Sequence, residues 1–181
     1  MILLTGSEVT PPIDHTTGNP VEHARHRIFS LIQELEREKS KIIIPAPALS
    51  EVLVRAGDDI QSCLNIFQKS PVFQIKPFDT LAAVEVAAII RKAIDGGDKR
   101  GNVNSTWAKV KYDRQIVSIA KIHGAKVIYS DDDDIHIHAK EVNIKTVRLV
   151  DIPVPSETSQ YPLFFNEIDS MSEIIKDNKE A

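Results

Sequence analysis

A run of three isoleucines, Ile42 to Ile44, sits between a helix-periodic segment and a proline-marked helix start, and the chain repeats this alternation to its end. β-Branched runs this short suit strands buried on both faces, which need helices to cover them. Upstream, Ala24, Ile28, Leu31, Ile32 and Leu35 recur at helical spacing between Val21 and Lys39, with charges on the opposite face. Downstream, Pro45 stops the strand, Pro47 suits the first turn of a helix running to about Arg55, and Gly57 ends that helix. Asp58 or Asp59 can cap the next helix through Phe67, and Val72 to Ile75 reads as a strand. Asp79 caps a long helix from about Thr80 to Ile94, which Gly96 and Gly97 terminate. After the polar loop DGGDKRGNVN, Ser105 opens a helix reaching His123. Lys126 to Tyr129 is a strand, His136 to Glu141 a short helical or irregular piece, and Thr146 to Val150 the last strand. The pattern predicts an α/β fold, an α/β/α sandwich with a central parallel sheet between two helical layers.

The 181 residues suffice for one domain with a sizeable core, expected over 1–155. A C-terminal extension, 156–181, has weaker periodicity; its Leu163, Phe164 and Phe165 are expected to dock and its DNKEA end to fray. A net charge of −4 argues against a surface that coats nucleic acid broadly, though a local basic rim is compatible with it. The apolar runs LAAV and VAAII fall far short of the roughly 20 residues of a spanning helix, so no membrane segment is expected. The start MILLTGSEV lacks the basic n-region of a signal peptide. The lone Cys63 cannot form an internal disulfide and fits a reducing cytoplasm; in line with Ile60, Leu64 and Phe67, it reads as a small buried apolar residue.

Ligands of open parallel sheets collect at the carboxyl ends of the strands. Glu51 follows the isoleucine strand, and the run Asp131 to Asp134 follows KVIYS directly. Asp113 differs, because it lies inside a predicted helix beside the inward-facing Ile116, Val117 and Ala120. A carboxylate there is costly without a compensating cation, and carboxylate oxygens are hard ligands suited to Mg²⁺ or Mn²⁺. His136 and His138 alternate in DIHIHA and lack a well-spaced third ligand, so they read as a surface pair. Trp107, at helical spacing with Val110, reads as core.

The strings PALSEVL and KYDRQIVSIAKIHGAKVIYSDDDDI, in that order and at that spacing, resemble the PIN domain, the nuclease fold of VapC-type toxins and other RNA-cleaving enzymes. The resemblance runs from Met1 to Pro153 and implies a metal-dependent endoribonuclease that hydrolyses phosphodiesters with Mg²⁺ or Mn²⁺. Carried over, Glu51, Asp113 and Asp132 are the catalytic acids, and Asp131 and Asp134 join them as metal ligands. Lys99, Arg100, Lys109 and Arg114 are the candidates to hold the RNA backbone. The family also has an acid at the end of its first strand, and MILL matches only the residues C-terminal to that acid. Either the natural start lies upstream and this chain is truncated, which is the reading expected here, or this ligand has been lost; in this form metal affinity and activity are both expected to be impaired. The second case would leave a non-catalytic RNA- or protein-binding module. A phosphoacceptor domain using an Asp of the acid run is a further alternative, disfavoured because such folds place that Asp after the first strand. Among partners, RNA is implied, while an antitoxin-like protein and a homodimer are compatible with the chain and fixed by none of its residues.

Overall fold

A computed structural model describes residues 11–14 and 16–154, and among these it has six α-helices and four β-strands. The segment Met1 to Leu4, which reads as the end of a strand or the first turn after one, and the expected docking of Leu163 to Phe165 lie outside these residues. The chain forms two units. The first holds the described residues up to Ile42, then Val52–Gln74, and those from Leu149 onward; the second holds Ile43–Glu51 and Ile75–Arg148.

In the first unit, α1 (Ala24–Arg37) buries Ala24, Phe29 and Ile32, and α3 (Ile60–Lys69) buries Cys63, Ile66 and Phe67, in keeping with their helical periodicity. Phe67 meets Phe73 edge to face, with ring centroids 5.4 Å apart. The expected last strand is shorter than predicted. It stops at Val147, and Leu149–Asp151 turns into a 3-10 segment. Beyond that point the backbone carbonyls find another donor: the Arg27 guanidinium bonds Val150 O at 2.9 Å and also Ile152 O.

β1 (Ile42–Pro45) pairs with β2 (Phe73–Lys76), and β3 (Val127–Tyr129) pairs in parallel with β4 (Lys145–Val147), Val127 opposite Lys145 and Tyr129 opposite Val147. The described strands therefore make two small sheets in a mixed α/β structure. Pro45 has no N–H to extend β1, and α2 (Ala46–Ala56) begins at once.

The second unit carries the site. α4 (Thr80–Asp95) starts where the Asp79 carboxylate accepts from Ala82 N at 2.9 Å, and Gly96 caps its end, followed by Gly97 at φ 83°, a left-handed conformation that glycine adopts without strain. α5 (Trp107–Ile122) is capped by Thr106, one residue after the expected Ser105. α6 (Asp133–Glu141) packs on α5 through a cluster of Val117, Ile135 and Ala139, flanked by Ile116, Ile128, Val142 and Ile144. Full burial of Val117 and of Ile135 contributes about 1.5–3 kcal/mol each, so this apolar seam is a substantial part of what holds α5 and α6 together. Among the described residues, no helix is long and apolar enough to cross a membrane.

Candidate metal centre

Asp113 is 4% exposed, on the buried stripe of α5 that also includes Val110, Arg114, Val117 and Ala120. The four acids after β3 separate into distinct tasks. Asp131 offers its carbonyl to Arg148 at 3.0 Å, and Asp133 pairs with the same guanidinium through its carboxylate. Asp132 caps α6, its carboxylate accepting from Asp134 N at 2.9 Å. That cap turns Asp134 back toward α5, where it accepts from the Ser105 hydroxyl. Asp113, Asp132 and Asp134 thereby each bring one carboxylate oxygen within 4.8 Å of the others.

The Lys109 ammonium lies at their focus. Its Nζ is 2.8 Å from Asp113 Oδ2, 2.7 Å from Asp134 Oδ2 and 3.0 Å from Asp132 Oδ2. Lys109 stands one helical turn before Asp113, the spacing that lets side chains meet on a helix face. Burial works to lower the Lys109 pKa, but the hydrogen bonds to Asp113, Asp134 and Asp132 outweigh it and hold the ammonium above its ordinary range. Burial raises the Asp113 pKa, and the Lys109 contact only partly opposes it. At the less buried Asp134, the bonds from Lys109 and Ser105 overcome burial and hold the carboxyl below the usual range.

A second polar group lies beside these acids. Arg114 and His138 have side chains with no exposure; the guanidinium donates to Lys99 O at 2.6 Å and stands 3.5 Å from Glu141 Oε1. His138 is therefore a buried residue of a helix and not one of a surface pair. The stripe Ile135, His138, Ala139, Val142 has helical spacing, and that was the signal for it in the sequence. Burial lowers the His138 pKa; the Glu141 charge opposes this and Arg114 reinforces it. The unfolded imidazole then takes up a proton before the folded one does, so this residue's contribution to stability is lost as pH falls below about 6.5. Between pH 7.5 and 5.5 in urea unfolding, the wild type is expected to lose more stability than His138→Gln; equal losses would remove His138 from the pH response.

The other predicted residues have varied placements. Glu51 is exposed on α2, in the segment whose Pro47 carbonyl and Ser50 hydroxyl meet the Tyr112 hydroxyl of α5, and it is not one of the three converging carboxylates. Arg114 was expected to touch substrate, and complete burial of its side chain corrects that. Lys109 was expected there too, and its ammonium is committed to the carboxylates. Lys99 and Arg100 are exposed, and the Lys99 ammonium lies 5.4 Å from the Trp107 ring centroid, with Lys111 at 5.9 Å. Trp107 is half-buried between these cations and is not a full core residue. His136, also half-buried, has ring nitrogens 2.7 Å from Ser130 O and 2.9 Å from Thr146 Oγ1.

No protein-family model matches the chain, and no curated protein matches it.

Proposed function

We propose that the chain is a Mg²⁺- or Mn²⁺-dependent endoribonuclease of PIN type, acting in the cytoplasm on an α/β/α frame with a central parallel sheet. The observation that carries this reading is the convergence of Asp113, Asp132 and Asp134 from a helix interior and a helix cap onto one cationic focus. The donor set fits the metal. Three carboxylate oxygens suit a hard divalent ion, and the place where they meet already holds a positive charge. When bound, the ion would supply Lewis acidity toward a phosphodiester oxygen and toward the attacking water. Asp113, Asp132 and Asp134 would hold it. Asp132 and Asp134 are oriented by the α6 cap, Ser105 steadies Asp134, and Lys99 and Arg100 offer cations for the RNA backbone.

The test is incubation of the chain with a single-stranded RNA. Cleavage is expected with Mn²⁺ or Mg²⁺ and is expected to stop on chelation. RNA left intact by folded protein in both metals would sink the reading and leave a non-catalytic binding role.

A further inference from the structure

We infer that Trp107 is a stacking platform for one unpaired base of a single-stranded RNA, with Lys99, Arg100 and Lys111 taking the adjoining phosphates. The inference deepens the ribonuclease reading above, on which it rests, by naming a substrate contact away from the acids. Trp107 opens α5 behind the Thr106 cap, and Lys111 follows one turn later on the same face. The Lys111 ammonium lies 5.9 Å from the indole ring centroid, and the Lys99 ammonium reaches to 5.4 Å from the loop after α4. Lys99, Arg100 and Lys111 are exposed, and among the described residues none of their side-chain cations has a carboxylate partner. Lys109, Arg114, Lys121 and Arg148 are by contrast all paired with acids. In a chain of net charge −4, three cations without acid partners around one half-buried ring make a local basic and aromatic surface.

The loop that carries two of these cations is set in place by its own backbone bonds. The Lys99 carbonyl accepts from the buried Arg114 guanidinium at 2.6 Å, and the Asp98 carboxylate accepts from Arg100 N at 2.9 Å and Asn102 N at 2.6 Å. Only the side chains of Lys99 and Arg100 remain to be ordered by a ligand, which lowers the cost of binding. With Ile94, Gly97 and Asp98 they line an open cavity of about 380 Å³, room for a ribose and its phosphate. A ring face beside cations without acid partners matches a ligand in which a flat π-surface is tied to an anion, and that is a nucleotide. An acidic peptide would use the cations and leave the ring idle. In a duplex both faces of each base are covered by neighbours, so the ring selects a single strand. A cation over an exposed ring is a weaker contact than a stacked base, so an ammonium can swing from the indole to a phosphate as the base arrives. Lys109 and Asp113 occupy another face of α5, and the platform therefore leaves the acids unobstructed. Ser105, two residues before Trp107, bonds Asp134 and ties the two sites to the same helix start.

Trp107 is the single tryptophan of the chain, so its fluorescence reports on the platform directly. Titration of the full chain with a single-stranded oligouridylate in EDTA is expected to quench that emission saturably, while duplex RNA of the same length leaves it nearly unchanged. By anisotropy of a labelled oligouridylate, Trp107→Leu is expected to bind about tenfold more weakly than wild type, and Trp107→Phe, which keeps a ring, to recover most of the loss. A second measurement covers a Trp107→Leu chain that fails to fold. Lys99→Ala/Lys111→Ala is expected to lower the slope of log affinity against log salt by about 1.4, a change that lost packing does not produce. Emission unchanged at saturating RNA, no binding of the oligouridylate, equal affinities in wild type and Trp107→Leu, or an unaltered salt slope would each overturn the inference. The titration contains no divalent metal, so it is separate from cleavage. RNA cut in Mn²⁺ by a chain whose Trp107→Leu variant binds like wild type would overturn the platform and leave the ribonuclease reading standing. Quenching by an RNA that is never cut would support the platform and overturn the ribonuclease reading.

Discussion

Asp113→Asn is expected to abolish metal-dependent RNA cleavage while leaving the protein at least as stable at pH 7 as the wild type. The activity half rests on chemistry. Asn keeps the volume and one acceptor oxygen but loses the charge that a divalent ion requires, and the two remaining acids are more exposed. A fall of about 10³-fold, or ~4 kcal/mol of transition-state stabilisation, is the expected scale. The stability half rests on burial. The folded protein raises the Asp113 pKa above that of the unfolded chain, so it holds the proton more tightly than the unfolded state does. The stability tied to that proton is present below about pH 3.9 and is lost as pH rises through the folded pKa. At pH 7 the carboxylate is therefore a cost that Asn does not carry. Cleavage rates and urea midpoints at pH 7 check both halves. Cleavage within tenfold of wild type would remove Asp113 from the site, and a large drop in the midpoint would make it a structural residue.

This opposition between stability and charge explains why Asp113 was legible in the sequence. An acid on an apolar helix face breaks the local pattern, and such a violation tends to mark function. Caps and glycine stops were legible too, since Asp79 and Gly96–Gly97 act through local geometry that depends on no distant partner. Lys109 and Arg114 were not. Long cationic side chains ordinarily reach solvent, and periodicity reports which face a residue is on without reporting how deeply that face is covered. Lys109 turns inward because it stands four residues before Asp113. Arg114 is buried because the carbonyl of Lys99 and the carboxylate of Glu141 come to it from other elements. DIHIHA misled through its alternation of period two, which a single turn of helix also produces when only every third or fourth residue is buried. The acid run showed its place after a strand but not its division of labour, because that depends on Arg148, Ser105 and Lys109, all distant in sequence.

Glu141→Ala is expected to destabilise the protein by about 3 kcal/mol, the lower end of the range for stranding one partner of a buried ion pair. Arg114 has a side chain with no exposure, and its Nε has no hydrogen-bond partner. Without Glu141, the desolvated guanidinium would depend on its hydrogen bond to the Lys99 carbonyl. Glu141 is itself 28% exposed and loses little by removal, so nearly all of the cost falls on Arg114. The same carboxylate closes over Gly101, held at φ 72°, where an added Cβ would overlap Glu141 Oε1 and stand 3.0 Å from Arg114 Nη2. The network thus joins the loop after α4 to α5 and α6, the two helices whose spacing sets the distance between Asp113 and Asp134. Removing the stranded charge should recover stability, so the double variant Glu141→Ala/Arg114→Met is expected to unfold at higher urea than Glu141→Ala alone. A double variant less stable than the single one would show that Arg114 stabilises through the packing of its stem. The dependence of α5 and α6 on a paired buried charge would then be refuted.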